Sequence, residues 1–144
     1  MKVYNGEDLI LGRLAGVVAK DALLGEEVRV VNCEKVVITG LLNAIVAREK
    51  HRRDRKGYPL KSAKFSRLPD RMVRRTIRGM LPWKVSRGKE AFKRVMCHQG
   101  VPAEFQNHKL LTVETASIKK LPNLRYAHLG QVSKLLGQKE RPQV

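Results

Sequence analysis

Near the start of the chain the apolar residues change from a strand pattern to a helical spacing and back to a strand pattern. This constrains the fold more than any other feature of the sequence. Val3 and Tyr4 form a short apolar start, and Val28–Cys33 has the composition of a strand. Between them a helix, ended by Gly25, is predicted from the helical spacing of Leu11, Leu14, Ala15, Val18 and Ala22. A strand, a helix and a strand in so few residues predict a parallel pair with a right-handed crossover. We therefore expect an α/β sheet with helices on both faces.

Shorter elements are predicted along the rest of the chain. Strands are expected at Val36–Ile38, Val95–His98 and Leu110–Val113. Thr39 and Ser86 are predicted to cap helices. The helix after Thr39 is predicted to bury Leu41, Leu42, Ile45 and Val46, and the helix after Ser86 to bury Ala91, Phe92 and Val95. A last helix is predicted to pack on the domain through Leu129, Val132, Leu135 and Leu136. A length of 144 residues predicts one domain over residues 1–144.

Positive charge is concentrated in one third of the sequence. Residues 48–94 contain 18 Lys and Arg residues against four Asp and Glu residues, whereas the other 97 residues contain 12 and nine. The formal net charge of the chain is +17, which opposes compaction unless a polyanion neutralises it. Because such clustering is typical of a phosphate-binding surface, nucleic acid is the predicted partner.

The basic region also contains a predicted amphipathic helix. Pro69 suits its first turn, and Gly79 and Pro82 are placed to end it. One face carries Leu68, Met72, Val73, Thr76, Ile77 and Met80, and another carries Arg71, Arg74, Arg75 and Arg78. A merely solvated face usually mixes in acidic residues, and here only Asp70 is available. Since guanidinium groups offer paired donors to phosphate, we expect this face to bind RNA or DNA.

The candidate RNA-binding residues span the whole basic region. They are Arg48, Arg52, Arg53, Arg55, Lys56, Lys61, Lys64, Arg67, Arg71, Arg74, Arg75, Arg78, Trp83, Lys84, Arg87 and Lys89. The segment Lys56–Pro69 lacks periodicity and is predicted to be an extended loop that can lie along RNA. Without RNA we expect residues 52–67 to be mobile, which amide exchange would test. Trp83, Tyr58 and Phe65 are candidates to stack on an unpaired base; for Trp83, packing against the domain is an equal alternative.

The sequence gives no support for catalysis, cofactors or metals. Gly88-Lys89 is followed by Glu90 rather than Ser or Thr, and Gly12 and Gly16 lack the spacing of a dinucleotide site. The two cysteines and four histidines lack the local pairs of a zinc site. No serine lies in a nucleophile elbow. We therefore expect a protein that is not an enzyme, with no catalytic residues, no cofactor, no metal and no small-molecule substrate.

The location of the protein is predicted from its termini, hydropathy and cysteines. No apolar run approaches the length of a membrane span, and the first eight residues do not form a secretory signal. The low aromatic content of 5% argues against anchoring at a membrane surface. Cys33 and Cys97 fall in predicted strands and are expected to be free thiols, with a disulfide between them as the alternative. A cytoplasmic location without membrane contact is expected.

Several motifs resemble the large-subunit ribosomal protein L13 family. They are, in order, Leu11–Ala15, Val30–Lys35, Val73–Pro82, Arg87–Ala91 and Gly100–Pro102. The most specific is Val73–Pro82, which reads VRRTIRGMLP, and the resemblance extends from Val3 to about Leu136. The segments 52–67 and 98–102 are more similar to archaeal and eukaryotic members than to bacterial ones, and the short carboxyl end favours an archaeal member.

This resemblance implies a fold and a role. The fold would be a single three-layer α/β/α domain with a small, mostly parallel sheet and a basic extension. The role would be structural, within the cytoplasmic ribosome, with large-subunit ribosomal RNA and neighbouring large-subunit ribosomal proteins as partners. On the family's motif, Arg74, Arg75, Arg78 and Lys84 are expected to contact phosphate, and Gly79 and Pro82 to shape the turn.

Two other functions compete with this interpretation. A DNA-binding regulator would use Met72–Met80 as its recognition helix, but the sequence lacks a preceding helix and tight turn at helix-turn-helix spacing. An RNA-modifying enzyme would need a catalytic or cofactor constellation. Selectivity for structured RNA over duplex DNA would exclude the first, and turnover of a nucleotide or methyl donor would favour the second.

Overall fold

The strand–helix–strand unit predicted at the start of the chain is confirmed. In the structure, a computed structural model that describes residues 1–55 and 65–138, strand β1 is Lys2–Asn5, helix α1 is Leu11–Leu23 and strand β2 is Val28–Val31. The two strands are parallel, with Tyr4 opposite Val30. Gly25 has a φ of +99°, so it ends the helix in the left-handed conformation that glycine adopts without strain.

This unit is the centre of a four-stranded parallel sheet. The strand order is β4-β2-β1-β5, in which β4 is Val95–Cys97 and β5 is Leu110–Leu111. β4 pairs with β2 and β5 pairs with β1, each in parallel. The two outer strands were expected, and both are shorter than the sequence pattern predicts. The chain is therefore an α/β protein with a small, mostly parallel sheet.

Different elements pack on the two faces of this sheet. On one face Tyr4, Val28 and Val30 join the main core, to which α1, α3 (Pro69–Met80) and α4 (Ser86–Lys93) contribute buried residues. On the other face Val3 and Val31 pack with Phe105, which lies in the short 3-10 helix Ala103–Phe105. The three layers are thus unequal, and the longer helices of this core lie on one side.

A buried hydrogen bond connects β1 to α1. Tyr4 Oη donates a hydrogen bond to Asp21 Oδ2 at 2.5 Å, and Lys2 Nζ lies 3.3 Å from Asp21 Oδ1. Burial, followed by this hydrogen bond, raises the pKa of Tyr4 above its ordinary value. The phenol therefore remains a proton donor to the carboxylate at any physiological pH.

A second, antiparallel sheet supports the remaining helices. Strand β3, Val37–Thr39, pairs with β6, Tyr126–His128, a strand that the sequence patterns do not predict. Helix α2, Leu42–Asp54, and helix α5, Leu129–Leu135, lie next to these strands. Ile45, Ala127, Val132 and Leu136 form a small core that joins α2, β6 and the end of α5. This arrangement positions α2 beside α3.

Several local predictions are wrong at the ends of helices. Thr39 lies in β3, and the N-cap of α2 is Leu41, which makes no side-chain capping bond and is 57% exposed. Ser86 is the first residue of α4 rather than its cap, which is Val85. In α5, Leu135 is 59% exposed and Ser133 is buried in its place. The free cysteine Cys33 lies in the 3-10 helix Cys33–Lys35 and not in a strand.

Candidate nucleic-acid interface

Helix α3 is fixed to the core by its apolar face, as predicted. Val73 and Ile77 are fully buried, and Pro69 occupies the first turn. Arg71, Arg75 and Arg78 are exposed and Arg74 is half-buried. The helix continues through Gly79 and ends at Met80, which is itself 44% exposed. Packing of the apolar face thus sets the direction in which the arginines project.

Three of these arginines stack on aromatic rings. The guanidinium carbon of Arg75 lies 3.8 Å from the centroid of Phe65, and that of Arg74 lies 4.5 Å from the centroid of Phe92. Arg78 lies 4.8 Å from the centroid of Trp83, whose ring also meets Phe92 edge-on at 5.0 Å. Such contacts hold a guanidinium plane in one orientation while leaving its N–H donors available. Trp83 thus contacts the domain and is also 38% exposed, so its stacking on a base stays a prediction.

A cleft between helices α2 and α3 is lined by all four arginines of α3 and by two arginines of α2. Its volume is about 490 Å³. The described residues that line it are Leu11, Ile38, Arg48, Glu49, Arg52, Phe65, Ser66, Arg71, Met72, Arg74, Arg75, Thr76, Arg78 and Phe92. We call it the arginine cleft, because six of these residues are arginines and Glu49 is the one carboxylate among them.

Like charges in the arginine cleft are only partly compensated. Glu49 Oε1 lies 3.4 Å from Arg48 Nε and 3.3 Å from Arg52 Nη1. None of the ion pairs between described residues includes Arg74, Arg75 or Arg78. Burial, and then the neighbouring charges of Arg78 and Arg52, lower the pKa of Arg75, although an arginine remains charged. An anion in the cleft would relieve this repulsion.

A side-chain nitrogen of Arg74 also lacks a hydrogen-bond partner among the described residues. Its Nε is buried, and within the described part of the chain it has no hydrogen-bond acceptor. A buried donor without an acceptor costs roughly 1–3 kcal/mol. Because Arg74 also lines the arginine cleft, a ligand oxygen there would offer the missing acceptor after a small shift of the side chain.

Arg53 and Arg67 have a different role from the arginines of the cleft. Arg53 Nη1 donates to Leu136 O at 3.4 Å, and Arg67 Nη1 donates to Gly137 O at 3.1 Å. Ser133 Oγ donates to Arg67 O at 2.5 Å. Burial, and then the charge of Arg67, lower the pKa of Arg53. These two side chains therefore cap the carboxyl end of α5, where cations interact favourably with the helix dipole.

The turn between α3 and α4 and the first half of α4 carry a smaller group of exposed cations. Lys84 lies in the turn, Arg87 and Lys89 lie in α4, and all three are exposed. Val85 N donates to Pro82 O at 3.1 Å, and a Cβ added at Gly88 would lie 2.1 Å from the same oxygen. Gly88 is thus the glycine that this turn requires. The expectation for Gly79 is wrong, since it is helical and a Cβ there would meet nothing within 4 Å.

The sixteen predicted site residues therefore fall into five groups. Six line the arginine cleft: Arg48, Arg52, Arg71, Arg74, Arg75 and Arg78. Arg53 and Arg67 hold α5, Arg55 is exposed at the end of α2, and Trp83, Lys84, Arg87 and Lys89 lie in the α3–α4 turn or in the first half of α4. Lys56, Lys61 and Lys64 lie outside the described residues, as do Tyr58 and most of the segment expected to be mobile.

Phe92 and Glu49 are the site residues that sequence reasoning missed. Phe92 was expected to be an inward position of α4, and it is half-buried because Arg74 and Trp83 cover its ring. The sequence pattern marks Glu49 only as an acidic residue of the basic region. The one available signal was its place three residues before Arg52, which is a spacing that allows an ion pair on a helix.

Other kinds of site find no support in the part of the chain that is described. No three His, Cys, Asp or Glu residues there come together in a way that could hold a metal ion. No helix among these residues has the length and apolar character to cross a membrane. α2 ends at Asp54 and α3 begins at Pro69, so the two helices are not joined by the tight turn of a helix-turn-helix motif.

Comparison with known proteins identifies the family. The sequence profile described as Ribosomal protein L13 matches residues 1–104. Large ribosomal subunit protein uL13 of Methanocaldococcus jannaschii is 45% identical over 142 residues, which cover 96% of this chain and 99% of that protein. The proteins of the same name from Methanopyrus kandleri and Methanosarcina barkeri are 44% and 41% identical, over 94% and 96% of this chain and 86% and 99% of their own lengths. The chain therefore belongs to the ribosomal protein L13 family.

Proposed function

We propose that this protein is a structural constituent of the large ribosomal subunit and that it binds large-subunit ribosomal RNA through the arginine cleft. The observation that carries the proposal is the convergence of six arginines on one cleft with a single carboxylate among its described lining residues. RNA phosphates would neutralise these charges where RNA segments meet, and no chemical step is required of the protein. The name shared by the archaeal relatives supports the same role.

The partners and location follow from this role. We propose that the protein works in the cytoplasmic ribosome, with ribosomal RNA and neighbouring ribosomal proteins as its partners. Lys84, Arg87 and Lys89, exposed in the turn before α4 and in α4 itself, would add a second phosphate-binding surface. Contacts of this kind position a protein on folded RNA without reading base sequence in detail.

The proposal is tested by binding of the purified chain to large-subunit ribosomal RNA fragments and to duplex DNA across a salt series. We expect tight binding to particular RNA fragments, weaker binding to DNA, and a steep loss of affinity with salt. The triple variant Arg74→Ala, Arg75→Ala, Arg78→Ala should lose most of this affinity. A control variant that removes the same charge from exposed sites outside the basic region, Lys109→Ala, Lys119→Ala, Lys120→Ala, should lose much less.

Two results would overturn the proposal. One is equal affinity for duplex DNA and for every RNA fragment, because a scaffold of folded RNA must prefer its own RNA. The other is an equal loss of RNA affinity in the two triple variants, because binding would then depend on net charge and not on the cleft.

A further inference from the structure

The arginine cleft has an apolar lining as well as a cationic one. Leu11, Ile38 and Met72 contribute apolar surface from α1, β3 and α3, and the rings of Phe65 and Phe92 add to it. All five side chains are only partly buried, whereas most of the arginines around them are exposed. A phosphate group would satisfy the arginines but would leave the apolar surface in contact with water. The composition of the lining therefore suits a ligand that has both an anionic part and a flat apolar part.

The size of the cleft agrees with such a ligand. Its volume of about 490 Å³ lies within the roughly 300–1,000 Å³ typical of pockets that hold small organic molecules. A single phosphate oxygen approaching exposed arginines would need no cavity of this size. A base with its sugar and phosphate is the unit of RNA that matches the volume, the charge and the apolar surface together.

We propose that the arginine cleft binds one unpaired nucleotide of the RNA, with its base against the apolar lining and its phosphate on the arginines. This inference rests on the proposed function and deepens it by naming the structural element of RNA that the cleft selects. Proteins commonly recognise RNA through splayed-out bases that stack on aromatic rings or on guanidinium planes. Arg75, exposed and held 3.8 Å from the Phe65 centroid, provides an oriented guanidinium of this kind.

The unpaired donor in the cleft fits the same ligand. Arg74 Nε is buried without an acceptor among the described residues, and a phosphate or sugar oxygen in the cleft would accept its hydrogen bond. A duplex would bring phosphates to the exposed arginines but would keep its bases stacked inside, so the apolar lining would remain uncovered. The two modes of binding therefore differ in whether Leu11, Ile38 and Met72 contact the RNA.

The experiment compares two small probes that share a phosphate and differ in the base. The full chain is titrated at low salt with adenosine 5′-monophosphate and with ribose 5-phosphate, while methyl signals of Leu11, Ile38 and Met72 are followed by NMR. We expect the nucleotide to bind roughly ten-fold more tightly, the gain typical of stacking one base. We also expect it to shift these methyl signals, which ribose 5-phosphate should leave nearly unchanged.

A matched pair of variants locates the base. Met72→Gln should bring the affinity for the nucleotide down to that of ribose 5-phosphate. Met80→Gln makes the same change at an exposed site of α3 that does not line the arginine cleft, and it should leave the nucleotide affinity unchanged. If Met72→Gln does not fold, the two probes still decide the question in the unaltered chain.

Equal affinity of the two probes, or methyl shifts away from the cleft, would overturn this inference. Such a result would describe a phosphate-only surface, as for contact with an RNA duplex. It would leave the proposed function intact, since that function is decided separately by binding of ribosomal RNA fragments to the two triple variants.

Discussion

Two groups of arginines in the same basic region have different neighbours. Arg74, Arg75 and Arg78 stack on Phe92, Phe65 and Trp83 and take part in none of the ion pairs between described residues. Arg53 and Arg67 instead donate to the main-chain carbonyls of Leu136 and Gly137 at the end of α5. The first group keeps its donors available for a ligand, whereas the second group uses them within the fold. We therefore propose that the same charge serves RNA binding in the first group and stability of the fold in the second.

The largest expected effect is the loss of RNA affinity when the cleft arginines are removed. The variant Arg74→Ala, Arg75→Ala, Arg78→Ala should bind ribosomal RNA on the order of 100-fold or more weakly, because each charge-assisted hydrogen bond to phosphate contributes roughly 1.5–3 kcal/mol. Its free energy of unfolding in urea should change by less than about 1 kcal/mol, because the three lost contacts with aromatic rings, roughly 0.5–1 kcal/mol each, are offset by removal of the buried Arg74 Nε that lacks an acceptor, which costs roughly 1–3 kcal/mol. A loss of stability as large as the loss of binding energy would break the distinction between the two groups.

The opposite balance is expected for the arginines that hold α5. The double variant Arg53→Ala, Arg67→Ala should lower the free energy of unfolding by about 1–2 kcal/mol. The expected loss is this small because Arg67 is exposed and water screens its contact. RNA affinity should fall less than ten-fold, as expected for general charge removal. Lys109→Ala with Lys120→Ala removes the same charge and should leave the urea midpoint unchanged. If the two double variants have the same stability, the hydrogen bonds to α5 do not stabilise the fold.

A smaller effect is expected when an aromatic support is removed and the charge is kept. Phe92→Leu should weaken RNA binding by about 2- to 5-fold, because Arg74 would lose the ring that orients it and such contacts contribute roughly 0.5–1 kcal/mol. Phe105→Leu is the matched control on the other face of the sheet, and it should reduce stability without changing RNA affinity. Equal RNA affinity of the two variants would argue that the arginines need no support from aromatic rings.

The smallest expected effect is a dependence of stability on pH that neither group of arginines causes. Burial, and then the charge of Arg29, lower the pKa of His98 below its ordinary value of 6.5. As the pH falls below 6.5, the unfolded chain takes up a proton at this residue before the folded chain does, so the free energy of unfolding decreases. Urea midpoints at pH 7.5 and 5.5 should differ less in His98→Gln than in the unaltered chain. An unchanged pH dependence in the variant would remove His98 as its cause.

The parts of the fold that depend on local pattern were predictable. The crossover from β1 to β2 follows from apolar spacing and from Gly25, and α3 follows from Pro69 and its two faces. β6 was not predictable, because Tyr126–His128 is short and pairs with a strand nearly ninety positions earlier in the chain. The caps at Thr39 and Ser86 failed because tertiary contacts place these residues in a strand and inside a helix.

The candidate site shows the same limit. Charge clustering and the arginine face of α3 predict where phosphate would bind, and six predicted residues do line one cleft. Sequence alone could not separate Arg53 and Arg67 from that group, because their carbonyl partners lie 83 and 70 residues further along the chain. It could not show that aromatic rings support the arginines either, since Phe92 comes from a different helix than Arg74.

The central claim, that the arginine cleft is a distinct RNA-binding site, is tested most directly by the salt dependence of RNA binding. The measurement compares the unaltered chain with two variants. The slope of log affinity against log salt concentration counts the phosphates that a protein neutralises. The cleft variant at Arg74, Arg75 and Arg78 should lose about two to three units of slope, roughly one for each phosphate contact. The variant at Arg53 and Arg67 should lose about one unit or less. If both variants lose slope in proportion to the charge removed, the arginines of this chain bind RNA as a diffuse basic surface and the arginine cleft is not a distinct site.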